Sequence, residues 1–394
     1  MVNPADRLSA VSEYYFSQKL REVASMKSNG IEVINMGIGS PDLPPHPSVI
    51  KALNKSSELE NSHGYQNYQG TPALRKAMAE FYGTYFEVSL TEQEVLPMMG
   101  SKEAIFHISM AFLNPGDRVL IPNPGYPTYT SVSNLVGAEI VYYDLKPENA
   151  WLPDFKQLEK LALQKVKLMW INYPHMPTGA KGDLDTFEKL VSFTQRHDIL
   201  LVNDNPYSFI LNNQYNSLLA VEGSKFNCLE LNSLSKSYNM PGWRVGMLCG
   251  DPEYLQQIIK VKSNLDSGMF LGIQEGAIAA LQLDPEWFEN LSRIYLKRRE
   301  LVWKILDFIG VKYNKESSGM FVWAQLPIGK DSKEYVDRLL KEKHIFIAPG
   351  DIFGSNGKGY IRFSLCVKEK QIQEALIRIK DHSYAIQIPQ TGSL

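Results

Sequence analysis

Between about Pro47 and Gly250 the chain alternates short apolar runs with helical segments, and this alternation limits its fold more than any other feature. SKEAIFHISMAFL has helical periodicity and is followed by RVLIPNP, a strand. FKQLEKLAL, a predicted helix, precedes VKLMWINYP, and FEKLVSFTQRHD, another, precedes ILLVNDNPY. CLELNSLSK and VGMLCG follow as further strands. Several of these runs are rich in Val, Ile and Leu without polar alternation, as in strands covered on both faces. The predicted class is therefore α/β, with a mainly parallel sheet sandwiched by helices. Several strands end in polar or Pro/Gly clusters: IPNPGYP, INYPHMPTG, VNDNPY and LNSLSKS. Ligands of open α/β sheets gather outside the carboxyl ends of the strands, so chemistry is sought in these clusters.

The flanks differ in texture. Leu8 to Ser28 has the pattern of an amphipathic helix stopped by Asn29-Gly30, and INMGIGSPDLPPHP is a short strand entering a Gly/Pro-rich loop. Beyond Asp284-Pro285 a long charged helix, EWFENLSRIYLKRRELVWKILDFIG, leads into GMFVWAQLP, the helix KEYVDRLLKEKH, then IFIAPG, GYIRFSL and a last helix around KEKQIQEALIRIKD. These pieces predict a smaller α+β domain built from both termini. The expected boundaries are 46–285 for a large cofactor domain, and 1–45 plus 286–394 for the small one. With 394 residues, 44% of them hydrophobic, the chain can fill more than one core.

A net charge of -2 offers no basic surface, so no nucleic-acid partner is expected. No run approaches the roughly 18 apolar residues of a membrane span. Cys228, Cys249 and Cys366 are odd in number and widely spaced, which points away from disulfides and structural zinc and towards a reducing compartment. The first residues lack the apolar core of a signal peptide, so the cytosol is the expected location. The seven histidines show no HExxH or paired-ligand spacing, and no metal is expected. GSNGKG at Gly354 to Gly359 is not a phosphate-binding P-loop, since no Ser or Thr follows its lysine.

SLSKSYNMPGWRVG, Ser233 to Gly246, carries the strongest chemical signal. Lys236 follows a buried strand between Ser233 and Ser235, and Arg244 comes eight residues later beyond a Pro-Gly turn. Such a set suits a Schiff-base lysine whose phosphate-bearing cofactor is clamped by hydroxyls and an arginine. The string resembles the lysine signature of the class I and II aminotransferases of fold type I, and other segments match that family in order. The resemblance implies pyridoxal phosphate as cofactor, and an amino acid and a 2-oxo acid as substrates. In VNDNPYSF it implies that Asp204 sits under the pyridine nitrogen and Tyr207 donates to the phenolic oxygen. In GSKEAIFHI it implies phosphate binding at a helix start, at Ser101 and Lys102. Tyr126 of IPNPGYPTY would stack on the ring, and Asn172 would be a further cofactor-binding residue. Ile38 and Gly39 would flank the substrate carboxylate, with Arg362 of GYIRFSL binding it through two parallel hydrogen bonds. Tyr65 of HGYQNYQG would reach the phosphate of a partner chain, which implies a homodimer.

One position departs from the pattern. Where the family has Asn-Pro-Thr-Gly, this chain has Met176-Pro177-Thr178-Gly179, and methionine offers no donor to the phenolic oxygen. The expected reaction is ping-pong transamination, in which Lys236 moves a proton from the substrate α-carbon. β-Elimination lyases and related synthases share the fold and the lysine, so elimination is the alternative. A ligand-sensing regulator would need a DNA-binding module in front, and the substrate loop begins by about residue 35.

Overall fold

A computed structural model describes residues 2–381 of the chain. Strand β1 is Ile34–Asn35, and the large sheet follows it: β2 Val95–Met98, β3 Arg118–Asn123, β4 Glu139–Asp144, β5 Val166–Ile171, β6 Leu200–Asp204, β7 Cys228–Ser233 and β8 Gly246–Gly250. Their order across the sheet is β2-β8-β7-β6-β5-β3-β4. The pairings among β3 to β7 are parallel, while β8 runs antiparallel to both β2 and β7.

The continuous apolar strands follow from burial on both faces. In β5, Leu168 and Trp170 join one core cluster and Met169 and Ile171 the other. The first cluster is covered by the helices Ser101–Phe112, Pro127–Leu135 and Pro252–Lys262, through Ile105, Val132 and Ile258. The second is covered by Pro72–Phe86, Leu184–Arg196 and Leu271–Leu281, through Phe81, Phe187 and Ala277. Two of these helices start on side chains that satisfy free amides: Thr71 accepts from Leu74 N at 3.2 Å and Asp183 from Thr186 N at 2.8 Å.

A third cluster joins the two ends of the chain. Phe16, Val23 and Met36 pack with Val302, Leu306, Val336, Phe363 and Ile372. Its strands are β9 Lys312–Tyr313, β10 Phe321–Gln325, β11 Ile345–Phe346, β12 Ala348–Pro349 and β13 Tyr360–Ser364. Four of them form an antiparallel sheet in the order β12-β13-β10-β9, and β11 pairs in parallel with β1, Ile34 facing Ile345.

Local expectations needed correction at three places. The predicted helix from Leu8 begins only at Tyr15. Before it, Asp6–Ala10 forms a 3-10 turn and the chain is extended through Tyr14. FKQLEKLAL is helical only over Phe155–Leu158, where Asp154 caps the amides of Lys156 and Gln157. IFIAPG divides into two strands that serve different sheets. Among the described residues no helix is long and apolar enough to cross a membrane, and the three cysteines are buried and free.

Candidate active site

The carboxyl ends of β3, β5, β6 and β7 border a cavity of about 570 Å³. Fourteen of the residues singled out by sequence line it: Ile38, Gly39, Ser101, Lys102, Tyr126, Asn172, Met176, Asp204, Tyr207, Ser233, Ser235, Lys236, Arg244 and Arg362. Tyr65 does not. It is 92% exposed and lies outside the cavity.

Lys236 sits in the one-turn helix Leu234–Ser237 directly after β7, where Ser233 caps the amide of Ser235. Its Nζ donates to the carbonyl of Gly39 at 2.6 Å. Burial pulls the ammonium below the ordinary lysine range, and Arg362 and Arg244 push the same way. A lysine so disfavoured as a cation is a better nucleophile at neutral pH.

Asp204 ends β6 and is 4% exposed. Its Oδ2 accepts the Tyr129 hydroxyl at 2.9 Å, while its Oδ1 is buried without a partner. Burial raises the carboxyl to about 6, against the opposing effects of Tyr129 and Lys236. A buried acceptor left open in this way calls for a donor from a bound group, and a protonated ring nitrogen has that chemistry. Tyr207, buried and edge-on to Phe321, has its phenol pushed well above the usual range by burial.

At another corner, Gly100 (φ 85) opens the helix Ser101–Phe112 without any side-chain cap. A Cβ at Gly100 would stand 2.3 Å from Arg244 Nη2. Burial lowers Lys102, and the nearby charge of Arg244 adds to that. Arg244 itself donates to the carbonyls of Pro241 and Met99 at 3.0 and 3.2 Å. Free helix amides beside two cations that repel each other form a site for an anion. The residues present thus fit pyridoxal phosphate at three points: an amine, an open carboxylate oxygen and a phosphate corner.

Arg362 lies on β13 and is 3% exposed. Its Nη2 donates to Gly37 O at 2.7 Å and its Nη1 to Met176 Sδ at 3.2 Å. Its guanidinium carbon stands 3.9 Å from the ring centre of Phe321 and 4.7 Å from that of Phe353. Burial lowers it to about 10. Nε has no partner, and no carboxylate pairs with it among the described residues. A buried arginine without a counter-ion is costly, and a substrate carboxylate would relieve it.

Asn172 lines the cavity with its amide already engaged. Its Nδ2 donates to the carbonyl of Asp204 and its Oδ1 accepts Met176 N at 2.8 Å. The loop carrying Ile38 and Gly39 is pinned from behind, where Arg298 holds Asp42 through bonds of 2.6 and 3.0 Å.

Tyr14, Phe16, Leu20, Phe321 and Phe353 also wall the cavity, and Tyr129 anchors Asp204. Sequence alone marked none of them, because apolar residues inside amphipathic stretches carry no sign of which cavity they face. The fold also brings Glu103, His107 and Asp266 together, with possible ligand atoms within 4.8 Å of one another. There Lys262 already pairs its ammonium with Asp266.

A lysine at the carboxyl edge of a mainly parallel sheet, facing an open aspartate and flanked by an anion corner and a buried arginine, defines the aminotransferase arrangement of fold type I. The chain belongs to the class I and II aminotransferases, whose family model matches residues 31–379. It is an enzyme that transfers amino groups. An LL-diaminopimelate aminotransferase of Dehalococcoides mccartyi is 39% identical over 376 residues, covering 95% of this chain and 97% of that one. Another, of Aquifex aeolicus, is 38% identical over 380 residues, 96% and 98% of the two chains. Among solved structures, apo BacF of Bacillus subtilis superposes with a TM-score of 0.92 at 36% identity, over 96% of this chain and 98% of its own. The aspartate aminotransferase of Thermus thermophilus with maleate gives 0.90 at 25% identity, over 96% and 99%.

Proposed function

We propose that this enzyme moves an amino group between an L-amino acid and a 2-oxo acid through pyridoxal phosphate, releasing the first product before the second substrate binds. The observation that carries the reading is the Lys236 amine in the same cavity as the buried, unpartnered Oδ1 of Asp204. Pyridoxal phosphate supplies a sink for the electron pair left at the substrate α-carbon when its proton departs. With the cofactor bound, Asp204 would keep its ring nitrogen protonated, Tyr207 would donate to its phenolic oxygen, and Tyr126 and Asn172 would hold the ring. Ser101, Lys102, Ser233, Ser235, Arg244 and Tyr65 of the partner subunit hold the phosphate. Arg362 would take the substrate carboxylate between Ile38 and Gly39, and the Lys236 amine would carry the α-proton.

The working unit is a cytosolic homodimer, with a large domain at 46–285 and a small domain at 1–45 plus 286–394, of which residue 1 and residues 382–394 lie outside the described residues. LL-diaminopimelate, named for the relatives, is the first amino donor to assay.

Protein incubated with pyridoxal phosphate should absorb in the near-ultraviolet or visible, and borohydride should then fix the cofactor to the peptide containing Lys236. Lys236→Ala should lose turnover by about 10³-fold or more while still binding cofactor. A modified peptide carrying another lysine would overturn the assignment.

A further inference from the structure

The glycine-rich run at 354–359 has no role in the chemistry above, yet the fold seats it against the end of β3, three residues before Tyr126. Asn123, 5% exposed, is the hub. Its Nδ2 donates to Asp144 Oδ1 at 3.1 Å and to Ser355 Oγ at 2.8 Å, and its Oδ1 accepts Asn356 N at 3.1 Å. Asn356 Nδ2 returns a bond to the Asn123 carbonyl at 3.1 Å and another to Asp144 Oδ1 at 2.8 Å. Beside these, Gly125 N donates to Phe353 O at 2.7 Å. The approach leaves no room for a side chain: a Cβ on Gly354 (φ +128) would stand 2.3 Å from Asn123 Oδ1.

This clasp joins the segment that carries Tyr126 to the turn between β12 and β13. Phe353 lies on that turn, edge-on to Trp323 and over the Arg362 guanidinium. Arg362 is held by rings, one carbonyl and one sulfur rather than by a counter-ion, so its direction depends on where those walls stand. Recognition of a carboxylate through two parallel N–H···O bonds tolerates little misalignment. We propose that Asn356, Ser355, Asn123 and Asp144 form a polar clasp that sets the wall around Arg362, and that Asn356 is thereby a positioning residue for the substrate carboxylate. This rests on Arg362 being the carboxylate site, as read under Proposed function.

The test uses the holoenzyme. For wild type and variants, KM and kcat are measured with the amino donor. Binding of pimelate and 3-phenylpropanoate, carboxylates without an amine, is read from the absorbance of the bound cofactor. Cofactor affinity and Tm are measured alongside. Asn356→Ala should raise KM and weaken carboxylate binding about tenfold, with kcat and cofactor affinity within about twofold. Asp144→Asn keeps an acceptor and should stay near wild type. Asp144→Ala should match Asn356→Ala, and the double variant should be no worse than the poorer single one, because both open the same clasp. Unchanged KM and carboxylate affinity in Asn356→Ala would sink the clasp alone. So would a joint fall of kcat, cofactor affinity and Tm, the mark of general loosening. Failure of wild type to bind pyridoxal phosphate or transfer amino groups would sink the reading of the site as well.

Discussion

Asp204 shows at the scale of one residue how function works against stability. Its carboxyl is raised from 3.8 to about 6 by burial, with Oδ2 on Tyr129 and Oδ1 open. Between those two pH values the folded protein holds a proton that the unfolded chain has released. Stability therefore falls as pH rises through this window and stays lower above it. A shift of about two units corresponds to about 3 kcal/mol. The cofactor-free Asp204→Asn protein should lack this fall and be the more stable form at pH 7.5, by up to about 3 kcal/mol, while losing turnover. Urea unfolding of both proteins at pH 4.5 and 7.5 checks it. A wild-type advantage that grows towards pH 7.5 would contradict it. The residues that could be read from sequence were those, like Asp204 and Lys236, that end a buried strand inside a recognisable string. Tyr129 could not, because its role arises only when β6 is laid beside the helix that begins at Pro127. Met176 was legible as a departure but not in its consequence: its sulfur meets Arg362, and Asn172, which brackets its backbone, has its amide engaged within the protein.

Elements were legible where one force dominated. Strands buried on both faces left continuous apolar runs, so β3, β5 and β6 stood out, whereas the antiparallel direction of β8 leaves no trace in composition. The N-terminal helix starts late because residues before Tyr15 take an extended path that brings Tyr14 to the cavity wall, and tertiary contact there overrides helical periodicity. The loop after β1 owes its place to a distant helix. Arg298, on Glu286–Ile309, is 3% exposed and meets Asp42 in two bonds and Leu365 O in a third. Asp42 keeps about a fifth of its side chain exposed, so without Arg298 its carboxylate can take up water, and losing these charge-assisted bonds costs about 1.5–3 kcal/mol. Arg298→Ala should lower unfolding stability by about that amount and weaken substrate binding, since Gly39 receives Lys236 on the same loop. Asp42→Asn with Arg298→Met should recover part of the stability. Equal denaturation midpoints for wild type and Arg298→Ala would show that the pair contributes nothing.

At the scale of the whole molecule the single chain leaves one expected site residue unused. Tyr65 projects into solvent, near other exposed apolar side chains: Tyr68, Leu265 and Phe270. These belong to two segments that pack on each other, with Gly268 against the backbone of Gln66 and Asn67 and His63 stacked on Phe270. Apolar groups exposed together mark a surface that another protein covers, and a two-fold dimer would cover it with a second copy. If Tyr65 completes the phosphate corner of its partner, each site takes Lys236 from one chain and Tyr65 from the other. Lys236→Ala and Tyr65→Ala homodimers should then both be impaired. Mixed and allowed to exchange subunits in equal amounts, half of the dimers are hybrid. Each hybrid contains one site with both native residues, so the mixture should regain about a quarter of wild-type turnover. A tyrosine serving its own chain gives a different result, because no hybrid site would then hold both residues. Activity of the mixture equal to the mean of the two parents, with subunit exchange confirmed by mass, would rule out the shared site.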